Sequence, residues 1–193
     1  MIIERLDPER HEREAFSCGD QALDQFLRTH ARKYAERGLG VTWVATSEET
    51  PTRIDGYYTL AMNALLADEL RSPRIRLTRV PVVLLGRLAI DTRVQGSGLG
   101  THLLMHALQT AYHLAQLIGA HAVLVDPLND RVTRWYARYG FMPLPGAPQR
   151  LFLLMATLSP HVKPLAGATQ RNELLDLAHN LTTNDADTES QRT

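Results

Sequence analysis

Three glycines, at positions 96, 98 and 100, follow a short apolar segment at residues 88–90 and precede a long amphipathic segment. This order predicts a strand, a glycine loop and a helix. The first turn of a helix has backbone N–H groups without partners and the positive end of the helix dipole, which together bind anions such as a pyrophosphate. Glycine also lets the backbone approach phosphates closely and adopt positive φ. The sequence therefore predicts a phosphate-binding loop.

The spacing of the three glycines distinguishes this loop from two common nucleotide-binding motifs. The third glycine comes one residue too early for the dinucleotide-binding pattern G-x-G-x-x-G, and Gly100 is followed by Thr101 instead of the lysine of a P-loop. A tight strand–helix turn without a ligand is the alternative interpretation.

Two segments resemble the GCN5-related N-acetyltransferases (GNAT). Residues 93–98, Arg-Val-Gln-Gly-Ser-Gly, resemble the family signature Arg/Gln-x-x-Gly-x-Gly/Ala, whose amides hold the pyrophosphate of acetyl-CoA. Residues 129–141 resemble the helix with an aromatic pair, followed by Gly-Phe, near the carboxyl end of these proteins. The two segments occur in the family's order, which makes the resemblance stronger than either alone.

Three further segments, residues 16–27, 56–60 and 84–89, resemble the GNAT toxins of type II toxin–antitoxin systems, the TacT/AtaT-like group. The resemblance covers roughly residues 1–158. It implies an α/β fold of the GNAT type, with a mixed central β-sheet flanked by helices and splayed strands at the acetyl-CoA site. It also implies acetylation of the α-amine of aminoacyl-tRNA, which blocks translation, a ribbon-helix-helix antitoxin as partner, and a homodimer.

Tyr136 is the catalytic candidate, because the matching tyrosine of the family gives a proton to the leaving thiolate. A phenol with a pKa near ~10 is protonated at neutral pH and suits that role. Trp135 stands where the family more often has phenylalanine, and Tyr139 is expected to pack beside Phe141. The alternative interpretation of Tyr136 is a core aromatic residue of an amphipathic helix.

The co-substrate acetyl-CoA is expected along one stretch of chain. Backbone groups of Ala89 and Asp91 are expected to pair with the pantetheine arm like an added strand. Arg93 is expected to contact a phosphate, with a solvated loop arginine as the alternative. The full set of predicted acetyl-CoA residues is Leu88, Ala89, Ile90, Arg93, Val94, Gln95, Gly96, Ser97, Gly98, Leu99 and Gly100.

The formal net charge of zero argues against a general nucleic-acid binder, but the charge is unevenly distributed. Residues 71–93 contain six arginines and one acidic residue, whereas residues 166–193 contain two arginines and five acidic residues. Binding of tRNA needs basic side chains at its phosphates. The candidates, for which a solvated surface is the alternative, are Arg28, Arg32, Lys33, Arg71, Arg74, Arg76 and Arg79.

No general base is evident. His102, His106 and His113 follow helical spacing on a partly polar face, which predicts surface residues. An α-amine titrates near ~7.7–8.0, and an ester on the adjacent carboxyl lowers that pKa further, so an aminoacyl-tRNA amine needs positioning more than deprotonation. Two other functions stay open: acetylation of a small amine or a protein N-terminus, and a non-catalytic CoA-binding regulator.

Length predicts one domain, and the resemblance implies that it is a GNAT domain at residues 1–160. Composition predicts a polar, acidic, partly disordered tail at 161–193. The single cysteine, Cys18, excludes an internal disulfide and is expected to be a small packed residue. No metal site, signal peptide or membrane span is predicted, which makes the cytoplasm the default location.

Hydrophobic periodicity predicts the elements that position these residues. Helices are expected from a cap at Ser17 or Asp20 to residue 37, and at 99–118 and 130–139. Strands are expected at 41–46, 54–60, 82–91, 121–125 and 151–158, with an arginine-rich loop at 67–81 in which a short helix is the alternative.

Overall fold

A computed structural model describes residues 1–70 and 76–158 of the chain. Within these residues one seven-stranded sheet has the order β1-β2-β3-β4-β5-β7-β6. The pairing of β4 with β5 is parallel and every other pairing is antiparallel. The strands are β1 (Ile2–Arg5), β2 (Val41–Thr46), β3 (Gly56–Leu66), β4 (Arg79–Ile90), β5 (Ala122–Val125), β6 (Met142–Leu144) and β7 (Ala147–Leu154).

Helical segments connect these strands. They are α1 (Gln21–Gln25), a π-helical turn (Phe26–His30), α2 (Ala31–Glu36), α3 (Ala67–Leu70), a 3-10 turn (Thr92–Val94), α4 (Leu99–Ile118), α5 (Asp130–Ala137) and α6 (Met155–Leu158). The sequence predicted one regular helix up to residue 37, and the structure interrupts it with the π turn. Asp20 caps its start, because its side chain accepts hydrogen bonds from the N–H groups of Ala22 and Leu23.

Helices cover both faces of the sheet, which confirms the predicted α/β class and the mixed sheet. On one face, α4 and α5 pack in a core cluster that includes Leu103, Leu104 and Tyr136. On the other face, the segment from α1 to α2 buries Phe26 and Leu27 in a second cluster. The glycine loop and α5 therefore lie with α4 on the first face.

Several strand boundaries differ from the sequence prediction. Strands β3 and β4 extend past their predicted ends because they pair with each other as a long hairpin, from Gly56 opposite Ile90 to Leu66 opposite Arg79. The short strands β1 and β6 were missed, and the predicted last strand lies earlier, with its final turn forming α6. No described helix is long and apolar enough to cross a bilayer. The predicted tail at 161–193 lies outside the described residues.

Candidate active site

Strands β4 and β5 separate partway along their length. Their parallel pairing ends at Leu85 opposite Val125, while β4 continues to Ile90. At the same point the register between β3 and β4 shifts, because Thr59 pairs with Arg87 and Leu60 with Leu85. Gly86 is therefore the extra residue of a β-bulge, a feature that redirects a strand. The result is the predicted splay, with one edge of residues 86–90 unpaired by β5.

Backbone alternation decides which groups face this open edge. The N–H of Asp91 donates to the carbonyl of Asp55 at 2.9 Å, toward β3. Because successive residues of a strand direct their N–H and C=O groups to opposite edges, Leu88 and Ile90 face the open edge and Ala89 faces β3. The expectation that Ala89 and Asp91 offer backbone groups to a ligand is thus corrected to Leu88 and Ile90.

The glycine loop has the conformation that a phosphate site requires. Gly96 and Gly98 have φ of +83° and +88°, and the carbonyl of Gly98 accepts the first bond of α4, from Thr101 N–H at 3.0 Å. Within the described part of the chain, the N–H groups of Gly96 and Gly98 donate to no protein acceptor. A Cβ at either position would meet no atom within 4 Å. The loop therefore presents unpaired donors in open space at a helix N-terminus.

Asp91 fixes the start of this loop. Its buried carboxylate accepts bonds from Arg93 Nε at 2.7 Å and Nη2 at 2.8 Å, and from the backbone N–H groups of Arg93 and Ser17 at 3.0 Å each. Burial alone would raise the pKa of Asp91, but these bonds outweigh it and hold the pKa at about 2. Two nitrogens of the Arg93 guanidinium are therefore bonded to Asp91. Contact of Arg93 with a phosphate stays a prediction.

Asp91→Asn is expected to destabilise the protein by about 2 kcal/mol at pH 7. The folded state lowers the pKa of Asp91, so its stabilisation is complete above the unfolded pKa of about 4 and is lost as the pH falls toward 2. Urea denaturation of wild type and variant should show a gap in unfolding free energy that narrows over this range.

Asp126→Asn is the matched control, because Asp126 also receives two bonds from an arginine, Arg150, but its side chain is 53% exposed. Exposed pairs contribute about 0–1 kcal/mol. Equal losses in the two variants would contradict the role assigned to Asp91.

The amide of Gln95 joins the loop to two other segments. Its Nε2 donates to the carbonyl of Ile90 at 3.0 Å and to the carbonyl of Cys18 at 2.9 Å. The backbone N–H of Thr92 also donates to the carbonyl of Ser17 at 2.8 Å. The residues before α1 are therefore fastened to the phosphate loop, and Gln95 occupies the Ile90 carbonyl at the open edge.

A cleft of about 570 Å³ lies between this loop and α5. Sequence reasoning missed its cations, although three arginines at i, i+3 and i+7 are a helical signal. Arg131, Arg134 and Arg138 are exposed and line the cleft together with Gln95 and Asn129. This arginine row could bind a polyanion next to the predicted phosphate loop.

Tyr136 lies on α5 in the core cluster that also contains Leu85 and Val125, the last paired residues before the splay. Its ring packs edge-on against Trp135 at 4.9 Å and Phe141 at 5.2 Å between centroids. Burial raises the pKa of Tyr136, so the phenol stays protonated. Within the described residues its hydroxyl has no hydrogen-bond partner, which leaves it available to a ligand.

Tyr139, one turn further along, differs in this respect. Its hydroxyl shares a 2.6 Å hydrogen bond with Oγ1 of Thr101 on α4. Trp135 packs against both tyrosines and lies 3.8 Å from the position that a Cβ on Gly100 would take. The geometry therefore assigns Tyr139 and Trp135 to packing between α4 and α5.

The histidines of α4 have different surroundings. His102 is exposed, as predicted. His106, in contrast, is partly buried: its Nδ1 lies 2.7 Å from the hydroxyl of the buried Tyr58, and burial lowers its pKa. Sequence periodicity cannot show this pair, because the residues lie 48 positions apart.

The predicted RNA-binding cations are also dispersed. Arg28 is partly buried, and its guanidinium donates to the carbonyl of Phe16, so it is not the exposed cation expected, and its contact with RNA stays a prediction. Arg32 is exposed and pairs with Glu36 one turn away. Lys33, Arg76 and Arg79 are exposed, while Arg71 and Arg74 lie outside the described residues. The described residues contain no group of acidic, His and Cys side chains that could hold a metal ion.

Comparison with known proteins agrees with this geometry. The profile of the Acetyltransferase (GNAT) family matches residues 9–141. The chain is 34% identical over 169 residues to the "Probable toxin TacT" of Sinorhizobium fredii, covering 81% of this chain and 92% of that protein. It is 36% identical over 143 residues to the "tRNA-acetylating toxin" of Mycobacterium tuberculosis, covering 73% and 84% respectively.

Solved structures are similar as well. AtaT in complex with acetyl-methionyl-tRNAfMet superposes with a TM-score of 0.77 at 29% identity, covering 83% of this chain and 98% of AtaT. A Tyr-to-Phe mutant of AtaT, bound to acetyl-CoA and the C-terminus of the antitoxin AtaR, gives a TM-score of 0.70 at 29% identity, covering 83% and 96%.

Proposed function

The chain belongs to the GNAT family of acetyltransferases, and we propose that it transfers the acetyl group of acetyl-CoA to the α-amine of aminoacyl-tRNA and thereby blocks translation. One observation carries the reaction type: the splay of β4 from β5 begins in the core cluster that contains Tyr136, and the open edge leads to a glycine loop with unpaired N–H groups. The substrate class is taken from the relatives, one of which is a tRNA-acetylating toxin.

Acetyl-CoA supplies the thioester, and residues of this chain would hold it at three places. The N–H and C=O groups of Leu88 and the N–H group of Ile90 suit the pantetheine amides at the open edge, where Gln95 already takes the Ile90 carbonyl. The N–H groups of Gly96 and Gly98 suit the pyrophosphate. The arginine row, Arg131, Arg134 and Arg138, suits the remaining phosphate charge because it borders the same loop.

Tyr136 acts as the proton donor in this proposal. The neutral amine attacks the acetyl carbon, the C–S bond breaks, and the Tyr136 hydroxyl gives its proton to the departing thiolate. The new amide nitrogen releases its extra proton to water, and water returns a proton to Tyr136. Burial raises the pKa of Tyr136, which ensures that a proton is present throughout the physiological range. No protein base is required, because the α-amine of an aminoacyl ester is largely neutral near pH 7.5.

The relatives also suggest partners. AtaT binds the C-terminus of its antitoxin AtaR, and we propose that this chain has a corresponding antitoxin, of the ribbon-helix-helix class that its sequence resemblance implies. A homodimer follows from the same resemblance. Because charged tRNA is used in the cytoplasm, we place the protein there.

Acetylation of purified charged tRNA with radiolabelled acetyl-CoA tests the proposal directly. We expect label in the aminoacyl group of charged tRNA, removable with the amino acid by mild base, and none in uncharged tRNA. Label on small amines or peptide N-termini but not on charged tRNA would favour an ordinary amine acetyltransferase. Binding of acetyl-CoA without transfer to any amine would favour a regulatory protein.

A further inference from the structure

Arg87 is an unassigned cation at the start of the splay. It follows the bulge residue Gly86, two positions beyond the last pair of β4 and β5. Its side chain lies over Phe26, in the α1–α2 cluster on the face of the sheet opposite Tyr136. A substrate that reaches the splay from this face would therefore meet Arg87 before it meets the acetyl group.

Aromatic rings hold the guanidinium of Arg87 in place. Its Cζ lies 3.5 Å from the centroid of the Phe26 ring and 5.4 Å from that of Tyr34. Phe26 begins the π-helical turn, and His30 at the end of that turn stacks on it at 6.4 Å. Such single π turns occur often at functional sites. A cation–π contact with the face of Phe26 restricts the guanidinium without using its N–H groups.

These N–H groups lack acceptors. Among the described residues, the guanidinium of Arg87 makes no hydrogen bond or ion pair, although the side chain is partly buried. Arg93, in contrast, is bonded to Asp91, and Arg150 to Asp126. A guanidinium has five donors, and among the described residues no nitrogen of Arg87 is both fully buried and unpaired, so its free N–H groups are open to solvent and to a ligand. The arrangement suits a ligand that brings its own oxyanion.

Resting on the function proposed above, we infer that Arg87 binds a backbone phosphate at the 3′ end of the RNA substrate. The aminoacyl ester is attached to the terminal nucleotide, so its phosphate must approach the splay together with the amine. A planar guanidinium on an aromatic support offers two parallel N–H donors to phosphate oxygens. Arg87 would thereby orient the amine toward the acetyl group without taking part in the chemistry.

Arg87→Gln and Arg87→Lys test this assignment in steady-state acetylation of charged tRNA. We expect Arg87→Gln to raise the KM for charged tRNA at least 10-fold while the Kd for acetyl-CoA stays within 2-fold. The slope of log(kcat/KM) against log[salt] should become shallower by about 0.7, the value for one phosphate contact on a single strand. Arg87→Lys should keep the wild-type slope, because it keeps the charge, but raise the KM since it loses the paired donors.

Arg37→Gln is the matched control, since Arg37 is an exposed cation at the end of the same α1–α2 segment and is not among the predicted RNA-binding residues. We expect its KM for charged tRNA to stay within 3-fold of wild type. An unchanged salt slope in Arg87→Gln, or an equal loss of acetyl-CoA affinity, would assign Arg87 to packing and overturn the inference. Failure of the wild type itself to acetylate charged tRNA would instead overturn the proposed function, and this inference with it.

Discussion

Tyr136→Phe is expected to lower kcat by about 10²- to 10⁴-fold while leaving the affinity for acetyl-CoA unchanged. The substitution removes the proton donor but keeps the ring, which is packed between Trp135 and Phe141, so the fold should persist. Single-turnover acetylation and calorimetric titration with acetyl-CoA separate the two effects. Expression of the variant should permit growth where expression of the wild type arrests it.

Tyr139→Phe provides the comparison within the same helix. Its hydroxyl is bonded to Thr101, so its removal should cost about 1 kcal/mol of stability and change kcat by no more than a few-fold. If both variants lost activity equally, α5 would matter for packing alone. A Tyr136→Phe variant with wild-type kcat would show that the leaving thiolate needs no proton from the protein.

The sequence predicted the elements of the site whose signals are local. The bounds of α4 match the prediction because Gly98 and Gly119 delimit an apolar stripe that keeps helical spacing over five turns. The glycine loop was identified for the same reason, since its conformation depends on glycines adjacent in the chain. Tyr136 needed the family resemblance in addition, because its pattern alone is more typical of a core residue.

Features that join distant segments could not be predicted in this way. Asp91 binds Ser17 across 74 residues, and Gln95 binds Cys18 across 77. A single sequence gives no signal for such contacts, because an Asp or Gln in a loop has the same local pattern whether its side chain faces solvent or bonds to a distant segment. The contact between Arg87 and Phe26 also joins distant segments. Arg87 was therefore not identified as a candidate from the sequence, although it lies within residues 84–89, which resemble the GNAT toxins.

Arg28 shows the opposite error, because the sequence suggested an exposed RNA-binding cation, whereas in the structure its guanidinium is bonded to the protein backbone. Its position off the apolar stripe of α1–α2 indicated solvent exposure, but the segment before α1 folds back and offers the Phe16 carbonyl to its guanidinium. Arg13 in turn donates to the carbonyl of Arg28 at 2.9 Å. Arg28 is therefore held by the Phe16 carbonyl with its Nε buried, whereas the guanidinium of Arg87 makes no hydrogen bond among the described residues and is the better RNA-binding candidate.

Gly98→Ala is expected to weaken acetyl-CoA binding at least 10-fold. Gly98 has φ of +88°, a conformation that costs an L-residue roughly 1–2 kcal/mol, so the loop should relax away from the geometry that directs its N–H groups outward. A Cβ here meets no protein atom within 4 Å and would project into the open space where phosphates are expected to bind. Titration with acetyl-CoA measures the loss, and kcat at saturating acetyl-CoA should recover most of the wild-type value.

Gly119→Ala is the control that distinguishes the effect of backbone strain in Gly98→Ala from the loss of contact with acetyl-CoA. Gly119 ends the same helix with φ of +76°, and a Cβ there is equally free of neighbours. Both variants should therefore lose stability in denaturant unfolding, Gly119→Ala the more, because ψ of 119° places Gly119 outside the left-handed region that Gly98 occupies with ψ of −4°. Only Gly98→Ala should lose acetyl-CoA affinity, because only the N-terminal end of α4 has free N–H groups and the positive end of the dipole. Equal affinities in the two variants would place the pyrophosphate away from this loop.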